Sequence, residues 1–481
     1  MECSWIRLRN LTVVVKTEIA TILRFLNWLM FFYKDNNILP AKHFSSSRLH
    51  PLENKTANGI FVANVSLHNP SDEKESAMYE LQRTNPDYVV YIPKGPAAGK
   101  RDGANHVVTV LPGLKPNSFV AFWLQDSAEQ APDSHYVCAR SEDNGKTWTD
   151  PVTIAGQDFD PKTGRDRCSF GTAFRNTKGR IYILLNHYSG YADPHENGFL
   201  YITYTDDDGQ TFGPQVQAEF KKFPELENDD PNVPPTMIAF QPPLKISSGK
   251  YVGGITRYAS LTKFPRRPHW TDEESVCSMY VIENADENPA PQDLKFTWTT
   301  CLKAPSRNNP AWSVAQEPAI VELPDGRLFC AFRTNFGSPW YSISNDGGYT
   351  WGETEVLRYG DCKPAMLHPL SPCPIYGDGH GHFYMFIHNH DGHFGPWGPK
   401  DTEHHRRPVY LVRGVFTPDA HQPLTFGEPE MFFDDDGIPL GYHYKRADLA
   451  LYASMTHVNG QSILWYPDRK HFICGKVIRE R

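Results

Sequence analysis

Three short polar stretches carry side chains that can transfer protons near neutral pH. They are Asn105-His106, Asn186-His187-Tyr188 and the run with His388, His390 and His393. Two of these stretches directly follow apolar runs, at 181–185 and 383–387, where a buried strand would end in a loop. Imidazole and phenol groups act as general bases and acids, and an amide can neutralise a carboxylate through hydrogen bonds. These residue types favour proton-transfer chemistry on an acidic substrate.

The histidine run also has a second interpretation. Three imidazoles within one short loop can converge on a metal ion if the loop curls. A solvated polar loop explains the same residues equally well. We therefore predict no metal site and no cofactor.

A repeated octet indicates which elements position these residues. Copies at 141–148, 205–212 and 344–351 share Ser or Thr, Asp, Gly, Thr and an aromatic residue at fixed offsets. The second gap is about twice the first, so a degenerate copy is expected near residue 275, in the hairpin from Val281 to Trp298. In each octet the Asp can accept backbone N–H groups across a turn, Gly supplies a positive φ, and the aromatic side chain packs back between sheets.

Strand-like segments recur around the octets in a constant order. Five inner strand pairs are predicted at 107–123, 171–185, 243–258, 319–333 and 373–389. Three C-terminal strands, in 449–456, 463–466 and 472–477, form a further unit, which 59–65 or 88–92 can complete. A unit built from both ends of the chain leaves no open sheet edge. The predicted fold is an all-β, six-bladed propeller, with seven blades if 59–95 forms more than one closing strand.

Composition supports a large globular protein and excludes some partners. The chain has 481 residues, of which 40% are apolar, and its 40 prolines and 35 glycines indicate frequent turns. A net charge of -8 argues against nucleic-acid binding, which needs a dense basic face. Nine cysteines are too sparse for a disulfide scaffold.

The N-terminal region is expected to lie outside the propeller. Its apolar stretch at 11–33 contains Lys16, Glu18 and Arg24, which makes a stable membrane span a poor interpretation. It fits an atypical signal, an anchor or a misassigned gene start. The predicted organisation is a segment at 1–50 followed by a propeller domain at 51–481. The compartment stays open, with the secretory pathway or an extracellular location preferred, and a monomer is expected.

The octets resemble the Asp-box (BNR repeat) of the sialidase, or neuraminidase, superfamily. The resemblance covers roughly residues 100–480 and implies a sialidase-type propeller. The segment from Glu317 to Arg333 resembles the blade that carries the glutamate partner of a tyrosine nucleophile and one arginine of a carboxylate-binding triad. By the same resemblance, Arg407 or Arg406 supplies a second arginine and Tyr452 the nucleophile, while Asp126 or Asp133 could be the acid.

The first blade departs from the sialidase pattern. Sialidases have an Arg-Ile-Pro motif where this chain has Asn105-His106-Val107. A histidine that is mostly neutral at pH 7 cannot replace a permanently charged, bidentate guanidinium. Either the chain acts differently from a sialidase, or another arginine, Arg165 or Arg167, completes the clamp.

A cavity with His, Tyr, Asn and Arg also resembles the propeller-fold lyases that act on uronic acids. This resemblance implies catalytic roles for His106, His187 and Tyr188 beside Glu317 and Tyr452. The predicted substrate-binding residues are Asn105, Asn186, Arg333, His388, His390, Arg406 and Arg407.

Three functions are carried forward for this chain. The preferred one is an enzyme that cleaves a glycosidic bond at an acidic sugar, with β-elimination at a uronate slightly ahead of hydrolysis. The second is an exo-α-sialidase with a Tyr/Glu nucleophile pair. The third is a non-catalytic propeller that binds glycans. In each case the expected partner is an acidic oligosaccharide or polysaccharide.

Overall fold

The computed structural model describes residues 83–94, 103, 107–440 and 446–479. These residues belong to one compact unit, Ala77–Arg481. The predicted segment at 1–50, the candidate closing strand at 59–65, and the site candidates Asn105 and His106 lie outside the described residues.

The described residues form short strands with few helical turns. The helical segments are α1 (Thr402–His405) and three 3-10 turns, at Trp270–Asp272, Ala285–Glu287 and Pro291–Asp293. The strands, in chain order, are β1 (Tyr88–Tyr91), β2 (Thr109–Pro112), β3 (Phe119–Gln125), β4 (His135–Ser141), β5 (Val152–Ala155), β6 (Cys168–Arg175), β7 (Ile181–Ala192), β8 (Glu196–Thr205), β9 (Val216–Gln217), β10 (Thr236–Ala239), β11 (Leu244–Lys245), β12 (Tyr251–Tyr258), β13 (Ser275–Ile282), β14 (Phe296–Leu302), β15 (Gln316–Glu322), β16 (Leu328–Arg333), β17 (Trp340–Ser344), β18 (Glu355–Val356), β19 (Ile375–Gly377), β20 (His382–Ile387), β21 (Val409–Phe416), β22 (Leu424–Phe426), β23 (Glu430–Phe433), β24 (Ser454–Val458), β25 (Gln461–Asp468) and β26 (Phe472–Ile478).

Consecutive strands pair antiparallel into up-and-down sheets. The sheets are β2-β3-β4-β5, β15-β16-β17-β18, and β19-β20-β21-β22 with β23 also on β21. A nine-stranded sheet consists of β6 to β9 and β10 to β14, which meet only at the pair Thr236 and Asn197. The all-β prediction is confirmed, and the sheets have a propeller-like arrangement.

The last sheet is assembled from distant parts of the described chain. Its order is β1-β26-β25-β24, with Tyr88 opposite Gly475. The candidate closing segment at 88–92 therefore supplies β1. The C-terminal expectation needs one correction, because β24 begins only at Ser454. The preceding residues are held outside the ladder, since the N–H of Ala450 donates to the Asp448 carboxylate at 2.7 Å.

Apolar side chains fill the space between neighbouring sheets. Phe122 of β3 and Ile183 of β7 share one cluster, and Phe329 of β16 packs with Met385 of β20 in another. The last sheet packs against the first, because Trp465 of β25 lies in one cluster with the residues of β3. The sheets thus form a closed series, which brings their first strands together around one centre.

The repeated octets form the turns after β4, β8 and β17. In the first, Asp143 accepts the backbone N–H of Thr147 at 2.9 Å and its hydroxyl at 2.6 Å. Asp207 and Asp346 make the same two contacts in the other copies. The expected degenerate copy is an ordinary hairpin, β13 and β14, whose connection contains two 3-10 turns.

Candidate functional site

A cavity of about 300 Å³ lies where several first strands meet. Its lining includes four residues that were predicted from separate parts of the sequence: Glu317, Arg333, Arg406 and Tyr452. They come from β15, the end of β16, the segment after α1 and the segment before β24. The propeller therefore brings together residues that are up to 135 positions apart in the chain.

Arg333 is the central contact among these four residues. Its guanidinium lies 2.9 Å from the Glu317 carboxylate and donates a hydrogen bond of 3.4 Å to the Tyr452 hydroxyl. A further bond of 2.9 Å joins Nε to the side-chain oxygen of Gln316. Arg333 and Glu317 are 2% and 1% exposed, so their charges are almost fully removed from water.

An irregular backbone directs Glu317 into the cavity. The β15–β16 pairing shifts between Gln316 and Ala319, and Glu317 has a φ of 56°. Its N–H donates to the hydroxyl of Thr256 on the neighbouring strand, at 2.8 Å. A non-glycine residue at positive φ is costly, and such bulges often re-aim a side chain beside a functional site.

The proton affinities of Glu317 and Tyr452 follow from their burial. Burial raises the pKa of Glu317. The positive charges of Arg333, Arg406 and Lys470, together with a hydrogen bond from Tyr452, partly offset this increase. Burial also raises the pKa of Tyr452, and the Glu317 charge adds to the effect. The phenol is therefore protonated near neutral pH.

Arg406 and Arg407 have different environments. Arg406 lines the cavity, where it donates to the Leu370 carbonyl and lies 3.5 Å from Asp448. Arg407 instead pairs with Asp434 and Asp435 and does not line the cavity. Of the two arginines left open by the sequence, the structure places Arg406 beside Tyr452.

The cavity lining also contains a histidine and a tyrosine that sequence reasoning missed. The rings of His195 and Tyr258 have centroids 4.2 Å apart, and both residues line the cavity. His195 Nε2 lies 2.5 Å from the Glu273 carboxylate. Glu196 lines the same cavity and pairs with Arg167, one of the two arginines considered for the clamp. His195 follows no apolar strand, so the pattern that selected the other histidines passed over it.

Three charged residues complete the wall beside Tyr452. Glu129, Arg446 and Lys470 line the cavity, and the Glu129 carboxylate binds both cations. Glu129 lies in the loop in which Asp126 and Asp133 were considered as acids. Neither aspartate lines the cavity, because Asp126 accepts the Ser134 hydroxyl and Asp133 accepts the Ser127 hydroxyl.

The predicted triplet on β7 lies away from this cavity. Asn186 donates to the Met237 carbonyl at 3.4 Å and borders a small apolar cavity. The His187 ring packs against Tyr201 at 4.4 Å, and burial lowers its pKa. Tyr188 lies under the Arg167 guanidinium at 4.1 Å. The structure does not bring these three side chains together with Tyr452.

The predicted histidines after β20 are bound to backbone and hydroxyl groups. His388 contacts the Pro408 carbonyl at 2.9 Å and the Ser371 hydroxyl at 3.0 Å. His390 contacts the His405 carbonyl at 2.7 Å. Burial lowers the pKa of both, and neither lines the cavity. Within the described part of the chain, no group of three or more His, Cys, Asp or Glu residues is arranged to hold a metal ion.

Residues 117–368 match the BNR repeat-like domain family, BNR_2. The chain belongs to the BNR repeat-like domain family. The predicted resemblance to sialidase-superfamily propellers with BNR repeats is thereby confirmed. No curated protein matches this BNR repeat-like chain.

Solved structures share the fold of this BNR repeat-like protein at low sequence identity. The NanB sialidase from Streptococcus pneumoniae is 11% identical, with a TM-score of 0.53 over 82% of this chain and 70% of that one. A protein of unknown function from Dyadobacter fermentans is 11% identical, with a TM-score of 0.52 over 83% and 99%. The intramolecular trans-sialidase from Ruminococcus gnavus is 12% identical, with a TM-score of 0.50 over 82% and 97%. Across the described residues of this protein, no helix is long and apolar enough to span a membrane.

Proposed function

We propose that this protein is a glycan-cleaving enzyme that acts at an acidic sugar, with Tyr452 as nucleophile and Glu317 as its base. The observation that carries the proposal is the position of Arg333, which contacts both Glu317 and Tyr452 inside the cavity that Arg406 also lines. A substrate carboxylate would bind between the two guanidinium groups. This requires no metal and no cofactor.

The reaction proceeds in two displacement steps. Glu317 accepts the phenol proton as the Tyr452 oxygen attacks the anomeric carbon, and the departing glycosidic oxygen takes a proton from solvent. Water then attacks the glycosyl-tyrosine and releases a proton to solvent, while Glu317 returns its proton to the departing phenolate and regenerates the free phenol. Arg333 stabilises the phenolate and the carboxylate while charge is being redistributed. The high proton affinity of Tyr452 makes the neighbouring base necessary.

The proposal changes the balance between the sequence-based hypotheses. The preference for β-elimination depended on His106, which lies outside the described residues, and on histidines that do not line this cavity. Of the residues predicted from the sequence, those that line it are Tyr452, Glu317, Arg333 and Arg406. Two structural neighbours, a sialidase and an intramolecular trans-sialidase, support an acidic sugar as the substrate class.

A uronate lyase is the second candidate, because one observation favours it. His195 and Tyr258 form an imidazole–phenol pair in the cavity lining. Such a pair can remove the proton beside a uronate carboxylate and protonate the leaving oxygen. The Arg333 guanidinium would then neutralise the carboxylate.

We also propose that the ring has six blades. Dividing the nine-stranded sheet at its single connecting pair gives two four- to five-stranded units. With the other four sheets, these make six. We further propose a monomer whose partner is an acidic oligosaccharide or polysaccharide.

The test compares hydrolysis with elimination in one assay. The full chain is incubated with sialylated glycans and uronate polysaccharides, while free sialic acid and the absorbance of unsaturated uronate are both measured. Tyr452→Phe should abolish hydrolysis, whereas Tyr466→Phe, a buried tyrosine outside the cavity, should retain it. Unsaturated product that persists in Tyr452→Phe and disappears in Tyr258→Phe would replace the hydrolase by the lyase. Binding without cleavage of any glycan would leave the non-catalytic propeller.

A further inference from the structure

Lys470 is a buried cation that reaches the cavity from a β-turn. Its side chain is 2% exposed, and it lines the cavity. Nζ lies 3.0 Å from both carboxylate oxygens of Glu129 and 3.9 Å from Asp448. The same ammonium lies 5.1 Å from the centre of the Tyr452 ring, within the range of a cation–π contact.

The turn that presents Lys470 has an unfavourable backbone for its sequence. It joins β25 to β26 and is closed by a bond of 3.0 Å from the His471 N–H to the Asp468 carbonyl. Both central residues are left-handed, with φ of 52° at Arg469 and 53° at Lys470. Turns of this type prefer Asn and Gly, because a side chain with a Cβ is strained there.

Buried interactions hold this strained turn in place. Arg469 is fully buried, and its Nε donates to the Asp468 carboxylate at 2.7 Å. Arg469 also donates to the Ile438 carbonyl at 3.2 Å. Backbone strain combined with buried cations, at a turn that ends in a cavity, indicates a functional rather than a purely structural constraint.

We propose that Lys470 is a positioning residue for the Tyr452–Glu317 pair. Its positive charge favours the ionised form of Glu317, and its ion pair with Glu129 fixes that carboxylate at the cavity wall. The inference rests on the proposed function for the role of the Tyr452–Glu317 pair. It adds a cation that the family resemblance did not supply.

Several charged groups act on this arrangement together. Burial lowers the pKa of Lys470. The negative charges of Glu129 and Asp448 raise this pKa, whereas the positive charges of Arg446 and Arg406 lower it. Around Glu317, the groups with electrostatic influence are Arg333, Arg406, Tyr452, Lys470 and Tyr258. Because Lys470 favours the ionised carboxylate, loss of its charge should make Glu317 harder to ionise.

The test measures Glu317 directly and requires no substrate. Glutamates are labelled with ¹³C at the side-chain carboxyl, and the Glu317 signal is assigned by its absence in Glu317→Gln. The pH titration is then recorded for the wild type, Lys470→Met, Lys470→Arg and Lys476→Met. Lys476 is a matched control, since it is also buried but donates to the carbonyls of Thr84 and Asn85, at 3.1 and 2.6 Å.

The expected result is an upward shift of the Glu317 pKa, on the order of half a pH unit, in Lys470→Met. Lys470→Arg should restore the wild-type value, and Lys476→Met should leave it unchanged. If Lys470→Met does not fold, Glu129→Gln/Lys470→Met removes both charges and should give a smaller upward shift, because loss of the Glu129 anion acts in the opposite direction. A Glu317 titration that is identical in the wild type and the folded Lys470 variant would overturn the inference.

A kinetic measurement separates this inference from the proposed function. On a cleaved glycan, Lys470→Met should lower kcat while KM changes by less than about threefold, because the residue acts on the nucleophile pair. If the wild type cleaves no glycan, the proposed function fails, and the titration still decides the role of Lys470. If cleavage occurs and Lys470→Met leaves both kcat and the titration unchanged, the inference fails alone.

Discussion

The buried pair of Arg333 and Glu317 can be tested by a double-mutant cycle. At their separation of 2.9 Å, two unit charges attract by about 6 kcal/mol at an effective dielectric constant of about 20. Desolvation of two almost fully buried groups offsets much of this attraction. Removing one partner leaves the other charge buried and should cost about 3–5 kcal/mol. Arg333→Met and Glu317→Gln are the single variants.

The double variant should be much less destabilised than the sum of the two singles. In each single variant, one buried charge is left without its partner, and the double variant contains no such charge. We therefore expect a coupling energy of about 2–3 kcal/mol. Urea unfolding followed by tryptophan fluorescence gives the free energy of unfolding for all four proteins. The surface pair Arg327 and Asp325, 2.7 Å apart, is the control and should couple by less than about 1 kcal/mol.

The pH dependence adds a second check on the same pair. Without Arg333, the largest interaction that opposes the effect of burial on Glu317 is lost, so the pKa of Glu317 in the folded state should rise further. A carboxyl with a raised folded-state pKa loses stability as pH increases through that value. Arg333→Met should therefore be more destabilised at alkaline than at acid pH. Additive single effects within about 0.5 kcal/mol, with no such pH trend, would refute the reasoning.

Three further outcomes are expected. Asp346→Asn removes a carboxylate that accepts hydrogen bonds from the N–H and the hydroxyl of Thr350. Urea unfolding should show a decrease of about 1–2 kcal/mol in its free energy of unfolding, whereas the control Asn345→Ala should stay near the wild-type value. Gly348→Ala should be more destabilising than a surface Gly→Ala change, because φ is 96° and the new Cβ would lie 2.7 Å from Val252; an unchanged thermal midpoint would contradict this. Burial raises the pKa of Asp435 to about 7, so the contribution of this carboxyl to stability is lost as pH rises from about 4 to about 7. When the free energy of unfolding is measured against pH, Asp435→Asn should therefore show a smaller decrease over this range than the wild type.

The fold was largely predictable because its signals are local. Each octet encodes its own turn, so the Asp143, Asp207 and Asp346 copies indicate blade hairpins without knowledge of distant contacts. The position of β1 was one of two alternatives, since a short apolar run does not reveal its partner strand. The late start of β24 was missed, because the Asp448 side chain competes with the sheet for the backbone of Ala450.

The cavity residues were only partly predictable. Resemblance identified Glu317, Arg333 and Tyr452, whereas nothing in the sequence marked Lys470, which looks like an ordinary lysine of an exposed turn. His388 and His390 were selected from the sequence, and the structure places them against backbone and hydroxyl groups. A histidine after an apolar strand has the same local signature whether it faces a substrate or a backbone carbonyl, and only tertiary structure distinguishes the two.

The pairing of β1 with β26 also has a mechanical consequence. The first residue of β1 lies opposite Gly475, in the middle of β26. Because the two strands are antiparallel, tension applied between the start of β1 and the C-terminal end of β26 would load their hydrogen bonds one after another and not all at once in shear. This seam should therefore separate under low pulling force. A sugar bound beside Tyr452 would raise the opening force, because the β24–β26 sheet and the Glu317 sheet both border the cavity.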